Sequence, residues 1–297
     1  LGKPIGDETC AESWEIVDHH DDQSIVAAGP LKGTTLGTLV RERGAELLGR
    51  HAAAGGQFPL LMKFLDAQQN LSLQVHPDDR QAAVLDPPAT GKTEAWVILD
   101  AEPGSLIYAG LKRGIDREAF RRELLRGTAE LCLHRFEPRV GDCVFLPAGT
   151  IHALGAGLMV AEVQQPSDVT YRLFDWNRVD SEGRPRTLHI EAGLKCLDES
   201  RVEIGPQTPQ PTALDHVTRL VACDKFVLDR WRFSATEAIG GDDRFHLVVV
   251  LDGEIQCRAS EQTVNAVRGQ TVLLPSSLGS VLLETRENTE LLDIYLP

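Results

Sequence analysis

The chain has no apolar run approaching the ~20 residues that cross a bilayer, and no basic-then-apolar leader opens it. Neither a membrane span nor a secretory signal is expected. It begins at Leu1 and not at Met, so a short preceding piece is expected. Positive charge is in deficit: 30 Lys and Arg stand against 44 Asp and Glu, a net charge of -14. That balance excludes general nucleic-acid binding and attraction to anionic membranes. Cys-x-x-Cys is absent. The six cysteines (Cys10, Cys132, Cys143, Cys196, Cys223 and Cys257) are scattered, which reads as free thiols in a reducing compartment and makes the cytoplasm the expected location. What remains is an ordinary globular composition, 42% hydrophobic over 297 residues, enough for one or two cores.

Helical periodicity is scarce. It is clear over 114–130, with Asp116 as a cap and Gly127 as a stop, and weaker over 34–48, where Gly37 and Gly44 interrupt it. Most other segments are short apolar strands bounded by Gly and Pro. They predict a mainly β protein built as two barrels with a small helical insertion. Pro206, Pro209 and Pro211 mark 201–215 as a linker. The expected division is 1–200, 201–215 and 216–297. The second half echoes the first: Arg268-Gly269 to Leu274-Pro275 resembles Gly141 to Gly149, as in a duplicated barrel whose second copy has lost its ligands. His246 lies there without neighbouring acids in sequence and reads as structural. The loop pair His19-His20 reads as a solvated turn.

The informative stretch is Leu71-Ser72-Leu73-Gln74-Val75-His76-Pro77. An extended chain sends Leu71, Leu73 and Val75 one way and Ser72, Gln74 and His76 the other. Glu94 opens the apolar strand 93–99, and a carboxylate there needs a partner. His152 follows the rigid turn Pro147-Ala148-Gly149. Gln74, His76, Glu94 and His152 together offer an amide oxygen, two imidazoles and a carboxylate. That donor set suits one Zn²⁺ per chain, with Mn²⁺, Fe²⁺ or Co²⁺ also accommodated. A neutral Gln ligand leaves the ion net positive and a better Lewis acid. Lys63 and Arg172 would bind an anion such as phosphate. Glu162, Asp168 and Lys92 are candidates for acid–base work, and the residues do not choose among them or a metal-bound water. An iron-dependent dioxygenase is a rival reading, though it would more often use a third His where Gln74 stands. A non-catalytic sugar-binding barrel pair is a second rival, with no need for the Lys, Arg and acids around the ligands.

Gly141-x5-Pro147-x-Gly149-x-x-His152 is similar to the second motif of the cupins. With Leu71 to Asp78 and Gly91-Lys92-Thr93-Glu94-Ala95-Trp96, it resembles the short bacterial form of type I mannose-6-phosphate isomerase. The likeness runs from about Glu12 through Arg172 and His189, and more weakly beyond. It implies two cupin-type (jelly-roll) β-barrels and zinc on Gln74, His76, Glu94 and His152. It makes Arg172 the active-site arginine and sets Lys63, Ser72, Lys92, Glu162 and Asp168 around the sugar-phosphate pocket. The implied reaction interconverts mannose 6-phosphate and fructose 6-phosphate. No nucleic-acid or membrane partner is implied, and the oligomeric state is left open.

Overall fold

The structure, a computed structural model, describes residues 1–3, 10–52 and 56–297. Contacts divide the chain into two compact units. One contains Cys10–Ser13 and Met62–Gln207, and the other the described residues of Leu1–Thr9, Trp14–Leu61 and Thr208–Pro297.

The unit built on Met62–Gln207 is two facing five-stranded sheets. The first runs in the order Glu12–Ile16, Leu61–Ala67, Leu158–Gln164, Glu94–Ala101, Cys143–Leu146. The second runs Tyr171–Phe174, Leu73–Val75, His152–Leu154, Ile107–Leu111, Leu133–Phe136. Trp96, Val144, Leu146 and Val160 of the first share one apolar cluster with Ile107, Ala109 and Leu154 of the second. Strand alternation then decides the other face of the second sheet. Leu73, Val75, Tyr108, Ala153 and Leu173 point away from that cluster and pack under Phe120, Leu124 and Leu194. Those last three lie on two helices, Arg117–Arg126 and Ile190–Cys196. The first is capped as expected: Asp116 accepts from the Ala119 N–H at 2.7 Å, and Gly127 closes it at φ 73°. The second went unread because it is short and lacks a side-chain cap. The helices let the second sheet bury both faces, which frees its inner face to carry polar residues.

The other unit repeats the two-sheet plan. A six-stranded sheet (order Gln210–Pro211, Val217–Ala222, Val227–Phe233, Thr289–Tyr295, His246–Asp252, Thr271–Leu274) faces a four-stranded one (order Glu237–Gly240, Ser280–Glu284, Glu254–Ala259, Gln262–Val267). Trp231, Val248 and Leu291 meet Ile255, Val281 and Leu283 between them. The helix Leu36–Leu48, capped by Thr35, and the ring pair Phe58–Phe245 at 4.9 Å belong to the same unit.

The mainly β reading with few helices holds, with sheets that are open in their hydrogen bonding rather than closed as barrels. Two local expectations change. The strand at 71–76 shortens to Leu73–Val75, and Leu71 packs with the inter-sheet cluster instead of joining Leu73 and Val75. Segment 201–215 contains the change of unit at Gln207–Thr208 and is paired on each side of it: Val202 bridges to Leu111, Pro206 bridges to Val144, and Gln210–Pro211 pairs with Val217–Ala222. His246 does have acids beside it: Asp293, brought by the fold, and Asp242, four residues before it in the chain. Its Nδ1 lies 2.8 Å from Asp293 and its Nε2 3.2 Å from Asp242. These carboxylates outweigh the burial of the ring and raise its pKa.

Phe120 is fully buried between its helix and the second sheet. Phe120→Ala is expected to lower unfolding stability by about 3–5 kcal/mol. Denaturant titration checks this, and a loss below about 1 kcal/mol would mean the helix does not cover the sheet.

Candidate metal centre and its surroundings

Residues directly opposite each other in an antiparallel pair share a face. His152 is paired with Gln74 on one side and Ala109 on the other, and Gln74 is paired with Arg172. Ala109 lies in the inter-sheet cluster. Arg172, Gln74 and His152 therefore form a row on the inner face of the second sheet. Across the interior, Glu94 is paired with Leu146 and Gln164, and Glu162 with Trp96. Leu146 and Trp96 also belong to that cluster, so Glu94, Glu162 and Gln164 face inward too. Two polar patches thus oppose each other at one end of an otherwise apolar interior.

His76, Glu94 and His152 converge: one ligand atom from each lies within 4.8 Å of the others. Glu94 is 0% exposed, with Oε1 at 3.0 Å from His152 Nε2 and Oε2 at 3.6 Å from His76 Nε2. Both imidazoles are held from behind. His76 Nδ1 contacts the Val169 carbonyl at 2.9 Å, and His152 Nδ1 the Thr150 carbonyl at 2.9 Å. A carbonyl only accepts, so each Nδ1 carries the proton, and in the neutral ring Nε2 presents a lone pair toward Glu94. The turn before His152 is fixed in the same way. Gly149, at φ 86°, donates its N–H to the His76 carbonyl at 2.9 Å, and Thr150 donates to Pro147 at 3.1 Å.

These residues fit a divalent cation on their own chemistry. Glu94 Oε1 and His152 Nε2 face each other, both buried and without a hydrogen-bond partner. Buried lone pairs facing one another are costly unless a positive charge lies among them. Lys92 supplies part of that charge, with Nζ 2.9 Å from Glu94 Oε2 and 3.4 Å from His76 Nε2. Burial would raise the Glu94 pKa, but the Lys92 ammonium beside it outweighs the burial and holds the carboxyl well below its usual range. Burial, with Lys92, pushes His76 well below the usual imidazole value, so it is neutral and available as a ligand.

Beside this cluster the buried charges alternate in sign. Glu162 lies 3.8 Å from Lys92 and 3.5 Å from Lys63, and Lys63 lies 3.5 Å from Glu12. Burial raises the Glu162 carboxyl to about 7; Lys63 opposes the shift and the Glu94 charge adds to it. Burial lowers the Lys63 pKa, but Glu162, Glu12 and Glu94 more than compensate and the net shift is upward. Ser72 is buried just before the strand of Gln74. Arg172 donates from Nη1 to the Thr187 carbonyl at 3.0 Å, and its Nε is buried without a partner. A bulge between Arg172 and Phe174 breaks their shared parity, so Phe174 turns to the helical layer while Arg172 stays in the row.

The fold does not bring Asp168 into this set. It is exposed in the loop ahead of Val169, whose carbonyl holds His76. Sequence reading also missed the two backbone carbonyls that orient the imidazoles. No side-chain signal exists for those.

A profile described as the catalytic domain of type I phosphomannose isomerase matches residues 2–95, and one described as the mannose-6-phosphate isomerase cupin domain matches 216–294. The mannose-6-phosphate isomerase ManA of Bacillus subtilis is 34% identical over 291 residues, covering 96% of this chain and 89% of the relative. The chain belongs to the type I mannose-6-phosphate isomerase family. It is an isomerase enzyme. The mannose-6-phosphate isomerase of Streptococcus mutans is also 34% identical, covering 94% of this chain and 87% of the relative. The crystal structure of a B. subtilis mannose 6-phosphate isomerase superposes with a TM-score of 0.89 at 30% identity, covering 99% of this chain and 92% of that one. A putative mannosephosphate isomerase of Archaeoglobus fulgidus shares the fold at a TM-score of 0.78 and 24% identity, covering 96% and 87%.

Metal analysis of the purified protein is expected to find about one divalent ion per chain, as four-donor sites hold. His76→Ala and His152→Ala are each expected to bring the content near zero while circular dichroism stays unchanged. Full occupancy in both variants would remove the site.

Proposed function

We propose that the chain is a metal-dependent aldose–ketose isomerase that interconverts mannose 6-phosphate and fructose 6-phosphate through a cis-enediolate. The observation that carries the reading is the buried His76–Glu94–His152 cluster, in which Glu94 Oε1 and His152 Nε2 have no hydrogen-bond partner, next to the alternating chain of Lys92, Glu162 and Lys63. Family membership supplies the reaction class, and the cluster supplies a place for it.

Gln74, in the same row as His152, is the fourth donor, and two imidazoles, a carboxylate and an amide oxygen favour Zn²⁺. A cation held there contributes Lewis acidity toward the sugar oxygens. The remaining steps fall to side chains. A carbon-bound proton must leave C2 and return at C1, while a hydroxyl proton passes between O1 and O2, so neither oxidant nor reductant is needed. Glu162, buried and with a pKa near neutrality, fits the carbon-bound transfer. Lys92 is the second candidate, being in contact with both Glu94 and Glu162. Exposed Asp168 is the weakest of the three expected. Arg172, Lys63 and Ser72 take the phosphate and the developing negative charge, for which a buried guanidinium N–H without a partner is a ready donor.

The chemistry is assigned to 1–200. Residues 216–297 are read as a part without metal ligands. Six free cysteines fit a reducing cytoplasm, and no helix among the described residues is long and apolar enough to cross a membrane.

A coupled assay for fructose 6-phosphate formed from mannose 6-phosphate tests the reading. Chelation is expected to abolish turnover and added Zn²⁺ to restore it. Glu162→Gln is expected to lower kcat by about 100-fold or more at unchanged metal content. Turnover that survives both chelation and Glu162→Gln would overturn the mechanism.

A further inference from the structure

Gln164 is 2% exposed and stands directly across the strand pair from Glu94, on the same inward face. Its amide is oriented by its neighbours: Nε2 donates to the Gln165 carbonyl at 3.0 Å and to the Ser167 carbonyl at 2.8 Å. Flipping the amide would set its oxygen against two acceptors, so the orientation is settled. Oε1 is then left buried with no partner. Glu94 Oε1 and His152 Nε2 share that condition. A neutral acceptor with no donor is a standing cost in the free protein. Lys92 does not relieve it, being engaged with Glu94, His76 and Glu162.

We infer that Gln164 Oε1 accepts a hydrogen bond from a hydroxyl of the sugar phosphate, which makes Gln164 a substrate-recognising residue. This inference rests on the isomerase reading. A phosphate dianion or a carbonyl has no proton to give, so among the groups of such a substrate only a hydroxyl satisfies this atom. A site that buries an acceptor for one hydroxyl rejects the sugar lacking it, because the acceptor stays unpaired.

The test uses 1,5-anhydromannitol 6-phosphate, which lacks an anomeric hydroxyl and cannot isomerise, with its 3-deoxy and 4-deoxy forms. Binding to the zinc-loaded protein is measured by calorimetry for wild type and Gln164→Met. One deletion is expected to weaken wild-type binding about tenfold and to leave Gln164→Met unaffected. If Gln164→Met does not fold, Gln164→Lys keeps donors for both carbonyls without an acceptor, and the same loss of discrimination is expected. A loop-positioning role alone would weaken all three ligands equally. Equal penalties in wild type and variant for both deletions would overturn the inference. Failure of the isomerase reading shows separately, as a wild-type protein that does not convert mannose 6-phosphate at all.

Discussion

The ion cluster around Glu94 is the constraint from which the rest of the site follows. A fully buried carboxylate is tolerable only when positive charge surrounds it. Lys92 at 2.9 Å gives part of that charge. Each imidazole donates its Nδ1–H to a backbone carbonyl, so a neutral ring turns its Nε2 lone pair inward and gives no charge. Donor atoms thus converge where a cation completes the balance. The same arrangement would be a defect in a protein that bound nothing.

The fold makes this arrangement possible by burying one sheet twice. Phe120, Leu124 and Leu194 cover its outer face with helices, so Leu73, Val75 and Ala153 are satisfied there. The inner face of the same strands is free to present Arg172, Gln74 and His152 in one row. Beyond it, the buried Lys63, Glu162, Lys92 and Glu94 alternate in sign with exposed Glu12 beside Lys63, so each buried charge of this row has an opposite neighbour. Glu162 sits between two lysines, yet burial and the Glu94 charge still bring it near neutrality. Carboxylates that titrate at widely separated pH from neighbouring positions suit one to holding an ion and the other to moving a proton.

Much of this was legible because period-two alternation is a local rule. Spacing alone sets Gln74 and His76 on a face opposite Leu73 and Val75, and a carboxylate opening an apolar strand singles out Glu94. The helix at Arg117–Arg126 was legible through Asp116 and Gly127, residues with specific cap chemistry. What escaped depends on contacts remote in sequence. Asp293, 47 residues from His246, reaches it only after the sheet forms. Segment 201–215 has the prolines of a linker but bridges to two strands, and prolines do not report that. Asp168 looked like its acidic neighbours in the chain, and only its exposure separates it from Glu162. The orphaned oxygen of Gln164 is a property of the packed state alone.

X-ray absorption on the zinc-loaded protein addresses the central claim most directly. The account predicts a shell of nitrogen and oxygen donors with the outer scattering of two imidazoles. A shell containing sulfur, or one without imidazole scattering, would contradict it.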